Sequence, residues 1–456
     1  MIVMKFGGTS LESAEALERA ASIVRSQLHR RPTVVVSAFG KTTDSLLAIG
    51  SEAASGRREE ALAQLSELRE YHRRVAEPLT PNSHREELAA IIEEHFFELA
   101  DFVKGSSAVG GLSPRSSDLL ASYGERLSGL IVALVFRGLN IPTHFLDSRR
   151  LILTDERFTQ ARPLLAETYA RIAADVPSQN SGKVPVLGGF IGSTGDGTTT
   201  TLGRGGSDFT ASLVGAALAA EEIQIWTDVD GVLTSDPTLV PEARPVRTIS
   251  FDEAAELAYF GAKVLHPATV IPAREKNIPV RILNSRRPEA PGTVIVSDSV
   301  PCSNVLKSVA CKRHITVVNI YSTRMLMAHG FLRHIFEIFD RHETPVDMLA
   351  SSEVSVSLTI DNDARLEEIC AELQPFSEVD VEKDQAIICV VGDDLRYTPG
   401  IAARVFGALR DVNVRMISQG ASLLNLSLVV AGRDLERAAA SLHREFFSTL
   451  DPAVFG

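Results

Sequence analysis

Cysteine and tryptophan are scarce in this chain, with four Cys and one Trp among 456 residues. Cys302, Cys311, Cys370 and Cys389 all fall in the last third, without metal-ligand spacing, and read as reduced thiols of a cytosolic protein. No apolar run approaches the roughly 18 residues of a membrane span, so none is expected. A strand starting at residue 2 leaves no room for a targeting peptide, and a cytoplasmic location is expected. Positive charge is also in deficit: 46 Lys and Arg against 58 Asp and Glu give a formal net charge of −12. That balance argues against nucleic acid or an anionic membrane as partner, although a basic pocket for an anionic metabolite fits within an acidic shell. The hydrophobic share of 45% is that of an ordinary globular protein, and the length allows two or three domains with full cores.

The first two thirds alternate strands and helices. Apolar runs at Met1–Met4, Thr33–Ala38, Thr143–Leu146, Val184–Phe190 and Ile223–Trp226 read as strands. Residues 51–104 read as helical, broken by Pro78 and Pro81, and Ser117–Gly138 as one long amphipathic helix. Such alternation predicts a mainly parallel sheet covered on both faces, with ligands gathering at the carboxyl ends of its strands. The texture changes around Arg286–Thr293, where Pro288, Pro291 and Gly292 mark a boundary. Beyond it an internal repeat appears, each copy reading strand, glycine-opened helix, strand, strand. The first holds Thr316–Ile320, Gly330, Val346–Met348 and Ser355–Ile360, and the second Ala386–Val391, Gly400, Val414–Met416 and Leu426–Val430.

Several loops at predicted strand ends have the composition of binding loops. Lys5-Phe6-Gly7-Gly8-Thr9-Ser10 joins a strand to a helix; bare glycine backbone approaches a polyanion closely and Lys5 adds a full charge. Its spacing is not that of a P-loop, and the plain alternative is an ordinary strand–turn–helix corner. In Gly203-Arg204-Gly205-Gly206-Ser207-Asp208 a guanidinium between glycines suits a carboxylate, and Ser207 or Asp208 can cap the next helix. Trp226-Thr227-Asp228 leads into an acidic turn, which is either a turn former or a group near a nucleotide. Glu125, in Ser122–Arg126, has the charge to meet the amino group of a zwitterion. Phe260–Pro267 places Lys263 beside a glycine, while His266 before Pro267 reads as structural.

In order and spacing these motifs, followed by two ACT-like units, resemble the monofunctional aspartate kinases of the amino acid kinase superfamily over essentially the whole chain. The resemblance implies a three-layer αβα sandwich at 1–296 and tandem βαββ ACT domains at 297–383 and 384–456. It implies transfer of the γ-phosphoryl group of ATP, with Mg²⁺, to the β-carboxylate of L-aspartate. Lys5 and Asp208 are then the catalytic residues, and Thr43, Glu125, Arg204 and Ser207 bind aspartate. Lys5, Phe6, Gly7, Gly8, Thr227, Asp228, Leu233, Thr238 and Lys263 meet the nucleotide. Residues 192–206 are the candidate loop that closes over a hydrolysable acyl phosphate. Many bacterial members carry an aromatic residue where Leu233 stands and an arginine where Thr238 stands; the present sequence is closer to the plant form. The first ACT-like unit resembles the effector site of lysine-inhibited members, implicating Met325, Gly330, Phe331, Leu332, Asp347, Ser352 and Glu353. Asp347 and Glu353 offer charge to the second ammonium of lysine, with threonine as the next effector. Edge-strand charges that discourage aggregation are the plainer account of both. A homodimer or dimer of dimers follows from the way ACT units pair. The rival readings are a glutamate or acetylglutamate kinase, and a non-catalytic amino-acid sensor.

Overall fold

The computed structural model describes residues 1–178, 182–261, 267–298, 302–323 and 329–456. The chain runs β1 (Ile2–Phe6), α1 (Ala14–Ser26), β2 (Pro32–Val36), α2 (Thr42–Ala54), α3 (Arg58–Ala76), α4 (Arg85–Val109) and α5 (Pro114–Gly138). It continues through β3 (Thr143–Leu146), α6 (Ser148–Leu151), α7 (Leu165–Ser178), β4 (Val184–Gly188), β5 (Ile191–Ser193), β6 (Thr199–Thr201), α8 (Gly206–Ala217) and β7 (Glu222–Thr227). Next come β8 (Thr248–Ser250), α9 (Phe251–Tyr259), α10 (Ile271–Glu275), β9 (Val280–Asn284) and β10 (Thr293–Val296). The last third holds β11 (Ser308–Tyr321), α11 (Phe331–Arg341), β12 (Met348–Ser351), β13 (Ser355–Ile360), α12 (Leu366–Leu373) and β14 (Glu378–Val391). It ends with α13 (Ile401–Ala408), β15 (Val414–Gln419), β16 (Asn425–Ala431) and α14 (Leu435–Phe447).

Two compact units emerge, Met1–Gly231 with Val264–Asp298, and Val232–Lys263 with Ser299–Gly456. The strands of the first unit lie in the order β3-β4-β2-β1-β7-β9-β10. Pairing is parallel from β3 to β9, and β10 is antiparallel to β9. The central strand β1 is buried along its whole length, as expected for a parallel strand covered on both faces. Lys5 sits there in register with Val35 and Ile225, so the lysine rises from the middle of the sheet.

Helix α5 departs from one expectation. By length and composition it is apolar enough to cross a bilayer, but 83% of its most apolar stretch is buried inside the protein. It is a core helix. Leu120, Leu127, Ile131, Leu134 and Phe136 are at most 2% exposed, and the buried Asp118 and Glu125 lie among them. The pattern misses as an uninterrupted apolar run because those two acids, with Arg126, break it.

In the second unit both repeats share one sheet, ordered β12-β13-β11-β14-β16-β15, with the long strands β11 and β14 antiparallel at its centre. Each repeat is longer than the expected strand–helix–strand–strand, because α12 and α14 complete it. Gly330 and Gly400 are the N-caps of α11 and α13 at φ of 85° and 80°, a left-handed conformation that favours glycine. Val318, Ile320, Ile335, Phe339, Val356 and Leu358 form a separate core for the first repeat.

Candidate active site

The carboxyl ends of β1, β2, β4 and β7 are stitched together beyond the sheet proper. Gly7 N–H donates to Trp226 O (3.0 Å), Ser37 N–H to Phe6 O (3.0 Å) and Gly189 N–H to Val36 O (2.8 Å). Ser10 Oγ bonds Trp226 O (3.2 Å) and lies 2.8 Å from Ser285 Oγ, fixing the first glycine loop to the end of β7. Two glycines are required here by close approach. A Cβ at Gly8 would stand 2.6 Å from Gly40 O, and one at Gly189 would stand 2.6 Å from Ser207 Cβ. The first loop and the start of α8 thus reach positions that any side chain would block.

At this edge lies a cavity of about 440 Å³. Lys5, Thr43, Glu125, Arg204, Ser207 and Asp208 all line it. Lys5 Nζ is 2.6 Å from Asp208 Oδ1, with the two side chains 11% and 14% exposed. That separation is charge-assisted contact in a partly dry setting, where a fixed cation acts more strongly than in water. Glu125 is buried; its Oε1 accepts from Ala38 N–H at 3.2 Å, and its Oε2 accepts no hydrogen bond among the described residues. Burial pushes its pKa up to about 8, against smaller opposing effects of the Ala38 bond and Lys5. An acceptor buried without a donor costs free energy until something supplies one. Arg204 is exposed, between Gly203 and Gly205, both with positive φ.

One local expectation is corrected. Neither Ser207 nor Asp208 caps α8, because the N-cap is Gly205, in the left-handed conformation at φ 72° and with no side-chain bond. The helix instead begins bare at the cavity, with Asp208 in its first turn. The segment 192–206 is not one irregular loop either. It contains the strand pair β5–β6, in register Ile191↔Thr201 to Ser193↔Thr199.

The motif reading passed over Asp118, which also lines the cavity. It stands seven residues before Glu125, two turns along α5 and on the same face. An acid on the buried face of an apolar helix was the available signal. Its oxygens accept from Thr159 N–H (3.0 and 2.9 Å), Thr201 N–H (3.0 Å) and Thr201 Oγ1–H (2.6 Å).

The nucleotide candidates divide. The Phe6 ring is wholly buried and stacked on Trp226 at 6.1 Å, its carbonyl accepts from Ser37 N–H, and none of Phe6, Gly7 and Gly8 lines the cavity. Thr227 Oγ1 lies 3.3 Å from Asp228 Oδ1, and Asn284 Nδ2 donates to Asp230 Oδ1 at 2.8 Å, shaping the acidic turn. Leu233 and Thr238 belong to the second compact unit, where Thr238 N–H and Oγ1–H both donate to Asp236 Oδ1 (2.8 and 2.7 Å). Lys263 and Met325 lie outside the described residues.

The effector candidates occupy three places in the first repeat. Gly330, Phe331 and Leu332 open α11, with Phe331 edge-on to Phe376 at 5.7 Å. Ser352 Oγ is 2.7 Å from Ser355 Oγ across the β12–β13 turn, which also holds the exposed Glu353. Asp347, just before β12, is already paired: Lys312 Nζ lies 2.8 Å from Asp347 Oδ1 and 2.8 Å from Asp361 Oδ2. Lys312 also lies 5.8 Å from the centre of the Tyr259 ring. Burial raises the pKa of Asp347 despite that pairing.

A mainly parallel sheet with a glycine-walled cavity at its carboxyl edge, lined by an ion-paired lysine, a buried carboxylate and an exposed arginine, defines a class. It is that of enzymes that bring two anionic small molecules together. Residues 1–284 match the amino acid kinase family and residues 388–446 an ACT domain. Aspartokinase 1, chloroplastic, of Arabidopsis thaliana is 40% identical over 98% of this chain and 80% of its own length. Lysine-sensitive aspartokinase 3 of Escherichia coli (strain K12) is 39% identical over 98% of this chain and 99% of its own. The crystal structure of E. coli aspartokinase III in complex with aspartate and ADP (R-state) has a TM-score of 0.83 at 37% identity, covering 98% of this chain and 100% of that one. The same enzyme with lysine and aspartate (T-state) has a TM-score of 0.84, covering 98% and 99%. The chain belongs to the amino acid kinase family and, within it, to the aspartokinases, ATP-dependent kinases of aspartate.

Proposed function

We propose that the cavity phosphorylates L-aspartate through the residues that line it. The observation that carries this reading is the convergence of the Lys5–Asp208 pair, the unpaired Glu125 Oε2 and Arg204 around one cavity. A β-carboxylate oxygen of aspartate attacks the γ-phosphorus of ATP, the bond to the bridging oxygen of ADP breaks, and 4-phospho-L-aspartate and ADP leave. The nucleophile is ionised at neutral pH and needs no general base. The barrier lies in bringing an anion to a polyanion, so positioning and fixed positive charge supply the catalysis. Lys5 meets the migrating phosphoryl group, held in place by Asp208. Arg204 grips the α-carboxylate, Glu125 takes the ammonium, and Thr43 and Ser207 orient the substrate. The backbone of Phe6, Gly7 and Gly8, with Thr227 and Asp228, is the part of this unit that meets the nucleotide.

Among the described residues no three His, Cys, Asp or Glu side chains form a metal cluster. Of the three carboxylates that line the cavity, Asp208 would help hold a Mg²⁺ bound mainly by the nucleotide's phosphates. Such an ion would supply neutralisation of phosphate charge. An ATP-dependent aspartyl hydroxamate assay tests the activity: product with L-aspartate is expected, and equal or faster turnover of glutamate or acetylglutamate would overturn the assignment.

Feedback inhibition by lysine is supported by two carboxylates at Lys312, which leave the pair with excess negative charge for an incoming ammonium. A homodimer formed through the first ACT repeat is supported by the exposed Leu332, Phe336, Leu349 and Val354. Four free thiols support a cytoplasmic setting.

A further inference from the structure

We infer that Asp118 is a positioning residue for aspartate recognition, tying the strand that leads into Arg204 to the helix that bears Glu125. The inference rests on the reading of Arg204 as the grip on the substrate carboxylate. Both oxygens of Asp118 are engaged by Thr159 and Thr201, so the carboxylate acts on the protein and not on a ligand. Thr201 ends β6, three residues before Arg204, and the Thr201 amide and hydroxyl both close on Asp118. The bonded pair is buried, with Asp118 and Thr201 1% and 2% exposed, where such bonds are well shielded from water.

Thr159 adds a second observation. It is β-branched yet sits at φ 73°, a conformation that costs free energy and persists only where its surroundings hold it. Its N–H is shared between both oxygens of Asp118, and its carbonyl abuts Gly203, where a Cβ would stand 3.3 Å from Thr159 O. Ala161 N–H donates to Thr201 O at 2.9 Å, so the 155–162 segment and β6 move as one piece. Asp118 thus holds Thr201 directly and the Thr159 segment that packs against Gly203. Because Asp118 and Glu125 share one rigid helix, the gap between the ammonium site and the carboxylate site is set by α5. A loop free to drift would leave Arg204 able to bind a carboxylate, but at no set distance from Glu125.

The test is initial-rate kinetics with both substrates on Asp118→Asn, Thr201→Val and Thr201→Ser. Asp118→Asn puts an amide donor against two backbone N–H groups. It is expected to raise KM for aspartate about tenfold or more, with KM for ATP within about twofold and kcat falling by less than KM rises. Thr201→Val keeps the N–H bond and loses only the hydroxyl, so a rise of about two- to fivefold is expected, and Thr201→Ser should restore it. Adding Arg204→Lys to Asp118→Asn should cost less than the two changes separately, because both act on one contact. An unchanged KM for aspartate in a folded Asp118→Asn enzyme, or a parallel rise in both KM values, would overturn the inference. If Asp118→Asn does not fold, an unchanged KM in Thr201→Val does the same. Arg204→Ala with a normal KM for aspartate sinks the substrate-site reading itself; a raised KM there beside a normal one in Asp118→Asn sinks only the role of Asp118.

Discussion

Lys5 and Lys312 are both ion-paired, Lys5 to Asp208 at 2.6 Å and Lys312 to Asp347 and Asp361 at 2.8 Å each. Around Lys5 the close pairing is one to one, with Glu125 near enough to feel its charge but pushed by burial toward the protonated form, and the pair opens on a cavity with a bare helix start nearby. A balanced pair beside open space lets the lysine turn part of its field toward a phosphoryl group without abandoning its partner. Around Lys312 one cation faces two acids, with Tyr259 close by. That excess favours a further cation, and burial penalises it most at Asp347, whose side chain is 6% exposed. Similar pairs therefore suit opposite tasks, one receiving an anion and the other a cation.

The sharpest way to break this comparison is Lys5→Ala. Loss of a cation used mainly in the transition state should lower kcat about 100-fold or more in a coupled ATP assay, and near-normal turnover would remove Lys5 from the mechanism. Asp347→Ala should leave kcat near normal and raise the lysine concentration for half-inhibition about tenfold or more. Undiminished inhibition would show that Lys312 and its acids serve folding alone.

Glu125 sharpens the comparison through pH. Its folded pKa of about 8 lies above the ordinary 4.5, so the folded protein holds this proton more tightly than the unfolded chain. The resulting stability is full below 4.5 and is lost as pH rises through about 8; thermal melts of the ligand-free enzyme should reveal it, and Glu125→Gln should flatten it. Binding the substrate ammonium needs the ionised form, so KM for aspartate should fall severalfold from pH 6 to about 8, and a flat profile would detach Glu125 from the substrate. The smallest effect is expected at Thr238→Ala, which loosens a turn held by Asp236. KM for ATP should rise less than about threefold, and no change would separate Thr238 from nucleotide binding.

The alternation of β1, α1 and β2 was legible because a parallel strand buried on both faces has to be apolar throughout, and Ile2, Val3 and Met4 are. The glycine-opened helices at 330 and 400 were legible because a left-handed N-cap selects glycine. Lys5, Arg204 and Asp208 were legible as charges among glycines, which packing alone does not require. Asp118 was legible only as an acid on the apolar face of a helix, and not as the partner of a strand 83 residues away, because residue order does not say which distant strand meets that face. Lys312 was not legible either, its partners lying 35 and 49 residues further along, just before β12 and just after β13 at the open end of that hairpin.

By itself the sequence determined the local chemistry: which segments form strands, which loops leave backbone bare, and which charges stand among glycines. Those properties depend on near neighbours and on periodicity, and both are written in residue order. Only the tertiary structure decided which charges are neutralised and which are left wanting a partner. Glu125 meets a backbone N–H through Oε1 and Asp347 the Lys312 ammonium through Oδ1, and the other oxygen of each has no hydrogen-bond partner among the described residues. That difference arises from desolvation and from distances of a few ångströms between residues far apart in the chain, and it exists only once the chain has folded.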